Sequence, residues 1–222
     1  MKANFCVLGL AGGLLALSMS GATAGTIPYP NVGTTNPDTY NFTAASTGNL
    51  TAYFYGSTAG DSEYLNIYDT TTNTSLTGIF PNQTTPTGAT ATMSVNAGDT
   101  LAFTIYDQTT GTTISSVPSA NADGGQHIYS TPFAGGYVNV PTDSGQSGAN
   151  IPAGTYIGFE DTLFSRGSDK NYADEQFVFS DTAISTNGGT PQVTDVPEPA
   201  SLMILGTAFA GFAVLRRKRR AS

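Results

Sequence analysis

Apolar and polar residues alternate along short stretches of this chain, and turns rich in Gly, Asn and Asp separate the stretches. Residues 101–106 show the pattern clearly, because Leu101, Phe103 and Ile105 recur at every second position before Asp107 ends the run. Alternation of this kind, repeated about every 8–12 residues, predicts antiparallel strands. The predicted strands are 50–55, 64–68, 89–95, 101–106, 112–117, 127–130, 137–140, 155–159 and 176–179. We therefore expect an all-β body, either an antiparallel β-sandwich or a jelly-roll-like fold.

An apolar segment at the N-terminus departs from this alternation. It follows a single lysine and ends in Ala22-Thr23-Ala24, the small-residue pattern that precedes signal-peptidase cleavage. Its apolar core is short and broken by glycine, which disfavours a membrane span. The sequence therefore predicts a helical signal peptide at residues 1–24, with Gly25 as the first residue of the exported protein.

A second apolar segment, residues 200–215, lies near the C-terminus. The residues before it are Val196, Pro197, Glu198 and Pro199, and those after it are Arg216, Arg217, Lys218, Arg219 and Arg220. A helix rises ~1.5 Å per residue, so the segment is somewhat short of a ~30 Å hydrocarbon core. Cations directly after an apolar helix hold that end in the cytoplasm. The sequence predicts a single transmembrane helix that stops transfer and leaves the preceding body outside.

This succession of motif, apolar helix and arginine cluster resembles the PEP-CTERM sorting signal of exported proteins from exopolysaccharide-producing Gram-negative bacteria. The resemblance covers residues 196–220. It implies recognition by exosortase, a membrane transpeptidase that cuts near residues 197–199 and releases or transfers the body. The other interpretation is a permanent single-span anchor. Both interpretations place the body outside the inner membrane, and the resemblance implies a final location at the cell surface or in the extracellular matrix.

The predicted organisation is a signal peptide at 1–24, a β body at 25–184, a polar linker at 185–195 and the sorting signal at 196–222. The chain carries 16 acidic and 8 basic residues; setting the two terminal signals aside leaves 15 acidic residues and two basic ones. So acidic a body is a poor partner for nucleic acid, whose phosphates bind Lys and Arg. The one cysteine lies inside the signal peptide, so the exported protein has no disulfide.

Acidic and amide side chains cluster between the predicted strands 155–159 and 176–179. They are Glu160, Asp161, Asp169, Asn171, Asp174 and Glu175. Neighbouring carboxylates repel one another unless a cation lies among them, and Ca²⁺ takes 6–8 oxygen ligands of this kind in irregular geometry. Asp169 and Asn171 also have the i, i+2 spacing found in calcium loops. These residues are therefore candidate calcium ligands.

The same stretch is similar to a GFED…SDxDYND…F pattern of exported bacterial β domains, and the similarity implies calcium binding. Here Asn171 replaces the second Asp of that pattern and Ala173 replaces its Asn, which removes one charged ligand. A calcium site is one interpretation of the stretch. The other is a solvated acidic turn, neutralised by Arg166 and Lys170, the two basic residues of the body.

The chain offers little for acid–base or nucleophilic catalysis. His127 is its one histidine, it follows a Gly-rich turn, and no G-x-S-x-G motif is present, so a Ser-His-Asp triad is not expected. We expect His127 to be a structural or surface residue. Glycoside hydrolysis by a pair of carboxylates remains an open interpretation, because Asp and Glu are present.

The sequence thus favours a non-enzymatic, exported surface or matrix protein associated with exopolysaccharide and biofilm, which calcium would stabilise if the acidic stretch binds it. The alternative is a carbohydrate-binding module for the producer's own polysaccharide. The chain lacks Trp, but tyrosines can stack on sugar rings more weakly. The candidate stacking residues are Tyr53, Tyr55, Tyr64 and Tyr68, unless alternate members of this set belong to the core.

Overall fold

Within the residues described, antiparallel β-strands form almost all of the regular structure. A computed structural model describes residues 29–140, 148–186 and 192–193. The strands are β1 (Tyr40–Ala44), β2 (Gly48–Ser57), β3 (Glu63–Asp69), β4 (Thr74–Ile79), β5 (Thr90–Val95), β6 (Thr100–Asp107), β7 (Thr112–Ser115), β8 (Ile128–Phe133), β9 (Gly136–Val138), β10 (Ala149–Ile151), β11 (Gly154–Phe159), β12 (Glu175–Phe179), β13 (Thr182–Thr186) and β14 (Gln192–Val193). Two short 3₁₀ turns, Pro118–Ala120 and Phe164–Arg166, interrupt them.

The strands form two main sheets. The seven-stranded sheet has the order β14-β13-β1-β6-β3-β4, with β7 also paired to β6, and the five-stranded sheet has the order β5-β2-β12-β11-β8. A separate pair, β9 and β10, completes the set. The prediction of an all-β body with antiparallel sheets is confirmed. The predicted signal helix and C-terminal transmembrane helix lie outside the described residues, and no helix with the length and hydropathy of a membrane span occurs among those described.

Phenylalanines from both sheets fill the space between them. Phe103 of β6 and Phe179 of β12 lie 4.2 Å apart, measured between ring centroids, and Phe42 contacts Phe103 edge-on at 5.3 Å. Phe54 and Phe177 extend this contact within the five-stranded sheet at 5.9 Å. Each buried aromatic side chain of this kind contributes about 1.5–3 kcal/mol. This interior is therefore the main source of stability for the two-layer arrangement.

The five-stranded sheet is buried on its other face as well. Tyr55, Tyr156 and Val178 form a second apolar cluster there, and β9 and β10 cover it with Val138 and Ile151. Every residue of β11 and β12 is consequently buried. A strand buried on both faces has no polar side to alternate with its apolar side.

β11 and β12 position the acidic stretch of the chain. They pair antiparallel at the middle of their sheet, with Phe159 opposite Glu175, so residues 160–174 form a loop at one end of the pair. This loop folds back closely over β11. A Cβ atom at Gly158 would collide with the carbonyl oxygen of Tyr172, so the close approach requires glycine there.

Candidate functional site

The acidic loop between β11 and β12 is organised around a buried carboxylate. Glu160 is 0 % exposed, and its Oε1 atom accepts a hydrogen bond from the backbone N–H of Tyr172 at 2.6 Å. Its Oε2 atom accepts hydrogen bonds from the N–H of Lys170 at 3.1 Å and from the hydroxyl of Ser168. Hydrogen bonds to an ionised carboxylate are stronger than those between neutral groups. Glu160 therefore shapes the loop from within.

Two successive turns follow in the loop, and in each of them a side-chain oxygen accepts a hydrogen bond from the backbone N–H two residues further on. Asp169 accepts hydrogen bonds from the backbone N–H of Asn171 at 3.1 Å and from its side-chain amide at 2.7 Å. Asn171 Oδ1 in turn accepts one from the N–H of Ala173 at 2.6 Å. Lys170 and Tyr172, which alternate with these residues, have left-handed φ angles of 56° and 55°. Asp and Asn stabilise such turns by bonding to the backbone two residues on.

These turns bring four of the six predicted calcium ligands to one surface depression of about 220 Å³. Its lining consists of Glu160, Asp161, Thr162, Gly167, Ser168, Asp169 and Asp174. Asp174 also accepts a hydrogen bond from the N–H of Asp161 at 3.1 Å. Asn171 lies beside the depression as the partner of Asp169, whereas Glu175 is buried in β12.

Two carboxylates of the depression, Asp161 and Asp174, have raised pKa values, and burial is the largest cause for both. Burial, followed by the charges of Asp161 and Glu160, raises the pKa of Asp174 to about 8. Burial is also the main cause that raises the pKa of Asp161. At neutral pH these groups favour a bound positive charge, either a proton or a metal ion.

The two basic residues of the body, Arg166 and Lys170, do not neutralise the carboxylates of the acidic loop by direct contact. Lys170 Nζ lies 5.8 Å from the centroid of the Phe164 ring, and Arg166 lines a smaller neighbouring cavity together with Asp61, Asp107 and others. In the described part of the chain, the one ion pair within 4.0 Å joins His127 and Asp123. Local ion pairing therefore leaves the charge of the acidic loop uncompensated.

The donor chemistry of the depression suits Ca²⁺, because every candidate ligand offers oxygen. Among residues 29–140 and 148–186, however, no three or more His, Cys, Asp or Glu side chains converge closely enough to hold a metal ion as they stand. Glu160 and Asp169 already accept hydrogen bonds within the loop. Binding would therefore require Asp161, Asp169 and Asp174 to turn toward the ion.

The sequence did not reveal that Glu175 has a buried acidic neighbour. Glu63, at the start of β3, lies beside it. Burial, followed by the charge of Glu175, raises the pKa of Glu63, and burial is the main cause that raises the pKa of Glu175. The sequence carried one signal for this pair. Glu63 precedes Leu65 and Ile67 at two-residue intervals, so strand alternation places it on the core face of β3.

His127 is fixed by two contacts. Its Nε2 atom lies 3.0 Å from Asp123 Oδ1, and its ring stacks on Phe164 with 4.1 Å between centroids. The side chain is fully buried. Burial alone would raise the pKa of Asp123, but hydrogen bonds from Gly125 N–H and His127 outweigh it, and the pKa is lowered. The contacts of His127 are those of a residue that anchors a turn.

The predicted stacking tyrosines divide between core and surface. Tyr55 is fully buried, whereas Tyr53, Tyr64 and Tyr68 are half-buried. Tyr64 stands opposite Tyr106 across β3 and β6, and Tyr106 is 39 % exposed. Because Leu65 and Ile67 point into the core, Tyr64, Tyr68 and Tyr106 share the outer face of the seven-stranded sheet.

Comparison with known proteins bears on the C-terminal end of the chain. A family model of the PEP-CTERM protein-sorting motif matches residues 195–220. The match falls on the predicted sorting signal, whose residues lie outside those that the structure describes. No curated protein and no solved structure matches the chain.

The match confirms the resemblance that the sequence suggested. The motif belongs to exported, membrane-transiting proteins of Gram-negative bacteria, which exosortase processes. This chain is accordingly an exported protein that carries the PEP-CTERM protein-sorting motif of exosortase substrates.

Proposed function

We propose that the chain is a non-enzymatic protein of the cell surface or extracellular matrix, associated with exopolysaccharide. The observation that carries the proposal is the sorting motif at residues 195–220, placed directly after an acidic β body. The C-terminal apolar segment holds the protein in the inner membrane for a time, exosortase cuts near residues 197–199, and the body moves outward. Its part in the matrix is structural, through adhesion or cohesion.

The arrangement of His127 supports a non-enzymatic role. Catalysis by this residue needs a ring nitrogen that can reach a substrate, but the ring is buried between Asp123 and Phe164. The chain has no second histidine and no cysteine after residue 6. Acid–base chemistry would therefore fall to carboxylates, and those of the depression are hydrogen bonded within their own loop.

A bound Ca²⁺ at the acidic loop forms the second part of the proposal. Asp161, Asp169 and Asp174 would supply most of the charge, and Glu160 would hold the loop in shape. Burial, followed by the charges of Asp161 and Glu160, raises the pKa of Asp174, and this supports the proposal because a divalent ion relieves the repulsion among these carboxylates. An exported body without disulfides gains stability from such an ion.

Cell fractionation tests the sorting proposal. Wild-type chain and a variant with Pro197→Ala, Glu198→Ala and Pro199→Ala are expressed in an exosortase-producing bacterium. We expect wild type at the cell surface or in the matrix and the variant in the inner membrane. A variant with Gln192→Ala serves as a control and should follow wild type. Equal distribution of wild type and the triple variant would contradict sorting through this motif.

Thermal unfolding tests the calcium proposal. The full-length chain in detergent is melted with millimolar Ca²⁺ and then with EDTA. A hundredfold excess of Ca²⁺ over Kd should raise Tm by about 5 °C, and Asp169→Ala or Asp174→Ala should reduce the rise. Asp38→Asn, a residue that lines neither acidic cavity, is the matched control. Identical melts of wild type in both buffers would reject calcium and leave a self-contained acidic turn.

The tyrosines on the outer sheet face support a second candidate, carbohydrate binding. Tyr64 and Tyr106 pair across two strands, and Tyr68 extends the same face. Flat aromatic rings of this kind stack on sugars through their apolar faces. Retention of the wild-type chain on the producer's own exopolysaccharide, reduced by Tyr106→Ala but not by the exposed Tyr137→Ala, would support this role. No retention of wild type would exclude it.

A further inference from the structure

Two glutamates meet in the interior where the two sheets adjoin. Glu63 begins β3 of the seven-stranded sheet, and Glu175 begins β12 of the five-stranded sheet. Their exposed fractions are 0 % and 1 %. None of their four carboxylate oxygens receives a hydrogen bond from a donor in the described part of the chain. Buried carboxylates without partners are costly, so something must compensate them.

Asn82 closes the space around the pair. The backbone N–H of Glu63 donates a hydrogen bond to Asn82 Oδ1 at 3.0 Å, and the backbone N–H of Asn82 donates one to the carbonyl oxygen of Glu63 at 3.2 Å. Its side-chain amide donates to the carbonyl oxygen of Asp61 at 2.8 Å and to the hydroxyl oxygen of Ser57 at 3.3 Å. Ser57 in turn stands opposite Glu175 across β2 and β12. The side-chain amide of Asn82 is thus bonded to oxygens of Asp61 and Ser57.

The electrostatic surroundings of the pair are negative. Burial and the charge of Glu175, followed by that of Asp161, raise the pKa of Glu63, and Asp107 adds to the effect. Burial is likewise the main cause that raises the pKa of Glu175, and the charge of Asp161 adds to it, whereas Ser57, Glu63 and Asn82 beside it act to lower that pKa. Within the residues described, neither Arg166 nor Lys170 lies within 4.0 Å of a carboxylate oxygen. Side-chain cations therefore do not neutralise the pair.

Either a shared proton or a bound cation could neutralise Glu63 and Glu175. One proton removes a single charge and leaves Asp107 and Asp161 facing a remaining carboxylate. A divalent cation removes two charges and takes up the four free oxygens together. The carboxylate, hydroxyl and amide oxygens of this space are the ligand types that Ca²⁺ prefers.

We propose that Glu63 and Glu175 form a buried divalent-cation site that joins the two sheets and takes a hard ion such as Ca²⁺. The site is separate from the acidic loop, whose ligands would be Asp161, Asp169 and Asp174. It lies between sheets, so its occupancy couples them. An ion there acts as a crosslink in a body that has no disulfide.

Metal content measured after equilibrium dialysis tests the proposal. The full-length chain in detergent is stripped with EDTA and dialysed against Ca²⁺ buffer, and bound calcium is measured per chain. Four proteins are compared: wild type, the double variant Glu63→Gln with Glu175→Gln, the loop variant Asp169→Asn with Asp174→Asn, and the control Asp38→Asn. Gln matches the shape of Glu but lacks its charge.

We expect the Glu63→Gln, Glu175→Gln protein to bind one ion fewer than wild type and to lose about 5 °C of the calcium-dependent rise in Tm. The loop variant should keep the ion that the double glutamine variant loses. Equal calcium content in wild type and the glutamine variant would overturn the proposal, as would a wild-type chain that binds no ion. The second result would assign a shared proton to the pair.

The loop variant decides the question if the glutamine variant does not fold. One ion retained by the Asp169→Asn, Asp174→Asn protein would support the buried site, because two of the three proposed loop ligands are then neutral. No ion retained would overturn it and leave the acidic loop as the calcium site. Failure of the loop proposal alone would appear as equal calcium content in wild type and the loop variant.

Discussion

At the scale of single residues, Gly158 and Glu160 determine how the acidic loop lies on β11. Gly158 leaves room for the loop backbone at Tyr172, and Glu160 binds the backbone N–H groups of Lys170 and Tyr172. The first allows the close approach, and the second holds it. The two residues are separated by Phe159 alone, so one short segment of the sequence determines the position of the loop.

Gly158→Ala should destabilise the body. Its Cβ would meet the carbonyl oxygen of Tyr172 and lie 2.8 Å from the hydroxyl oxygen of Tyr156. Overpacking of this kind costs about 1–3 kcal/mol in the free energy of unfolding. Urea unfolding of the full-length chain measures it. Gly48→Ala is the matched control, because nothing lies within 4 Å of its Cβ and a change within about 0.5 kcal/mol is expected. Equal effects would show that the loop does not press on β11.

Asp123→Asn should give a pH-dependent loss of stability. Hydrogen bonds from Gly125 and His127 lower the pKa of Asp123 in the folded state, so its ionised form is stabilised by folding. That contribution is full above the unfolded pKa of about 3.9 and is lost as pH falls through the folded value. The substitution should therefore cost about 1 kcal/mol at pH 7 and much less near pH 3, as measured by urea unfolding. A cost that is unchanged between the two pH values would contradict this.

At the scale of elements, strands with strong alternation were predictable and the edge strand β4 was not. β3 and β6 follow the alternation of Leu65, Ile67, Phe103 and Ile105. β4 lies at a sheet edge and its residues are mostly exposed, so Thr and Ser dominate it and no alternation results. β1 and β13 pair with each other and were not predicted, although Tyr40, Phe42 and Ala44 of β1 alternate with polar residues. Such strands are defined by hydrogen bonding to partner strands that are distant in the sequence, and a local sequence pattern does not show these partners.

Distance along the sequence explains why the acidic loop was predictable and the contact between Glu63 and Glu175 was not. Its ligands lie close together in the sequence, and two predicted strands bracket them. The partner of Glu175, in contrast, comes from a strand of the other sheet that is distant in the sequence. Glu175 also points away from the depression that Asp174 lines, because consecutive residues entering a strand face opposite sides.

Tyr172→Phe should loosen the segment that precedes β1. The Tyr172 hydroxyl accepts a hydrogen bond from the Asn36 N–H at 2.7 Å and donates one to the Gln126 carbonyl at 3.1 Å. Its loss leaves a buried N–H without a partner and should cost about 1–3 kcal/mol. Hydrogen exchange at the Asn36 amide should become faster. Tyr137→Phe, at an exposed tyrosine, is the control and should leave that exchange unchanged. Unaltered exchange in Tyr172→Phe would show that other contacts hold the segment.

At the scale of the whole molecule, an acidic two-sheet body is joined to a C-terminal sorting motif. β14, residues 192–193, pairs with β13 at the edge of the seven-stranded sheet, and the matched motif begins at residue 195. The exported body therefore extends almost to the motif. Its acidic charge keeps it soluble and away from anionic partners, which suits a protein that passes through the envelope.

The most direct test of this account is the intact mass of the protein recovered from outside the inner membrane of an exosortase-producing bacterium. We predict a chain that begins at Gly25 and ends within residues 196–199, with the apolar segment and the arginine cluster removed. Peptide mapping of both ends identifies the cleavage points and any group attached at the new C-terminus. A protein that keeps Arg216–Arg220 and remains in the inner membrane would contradict the account.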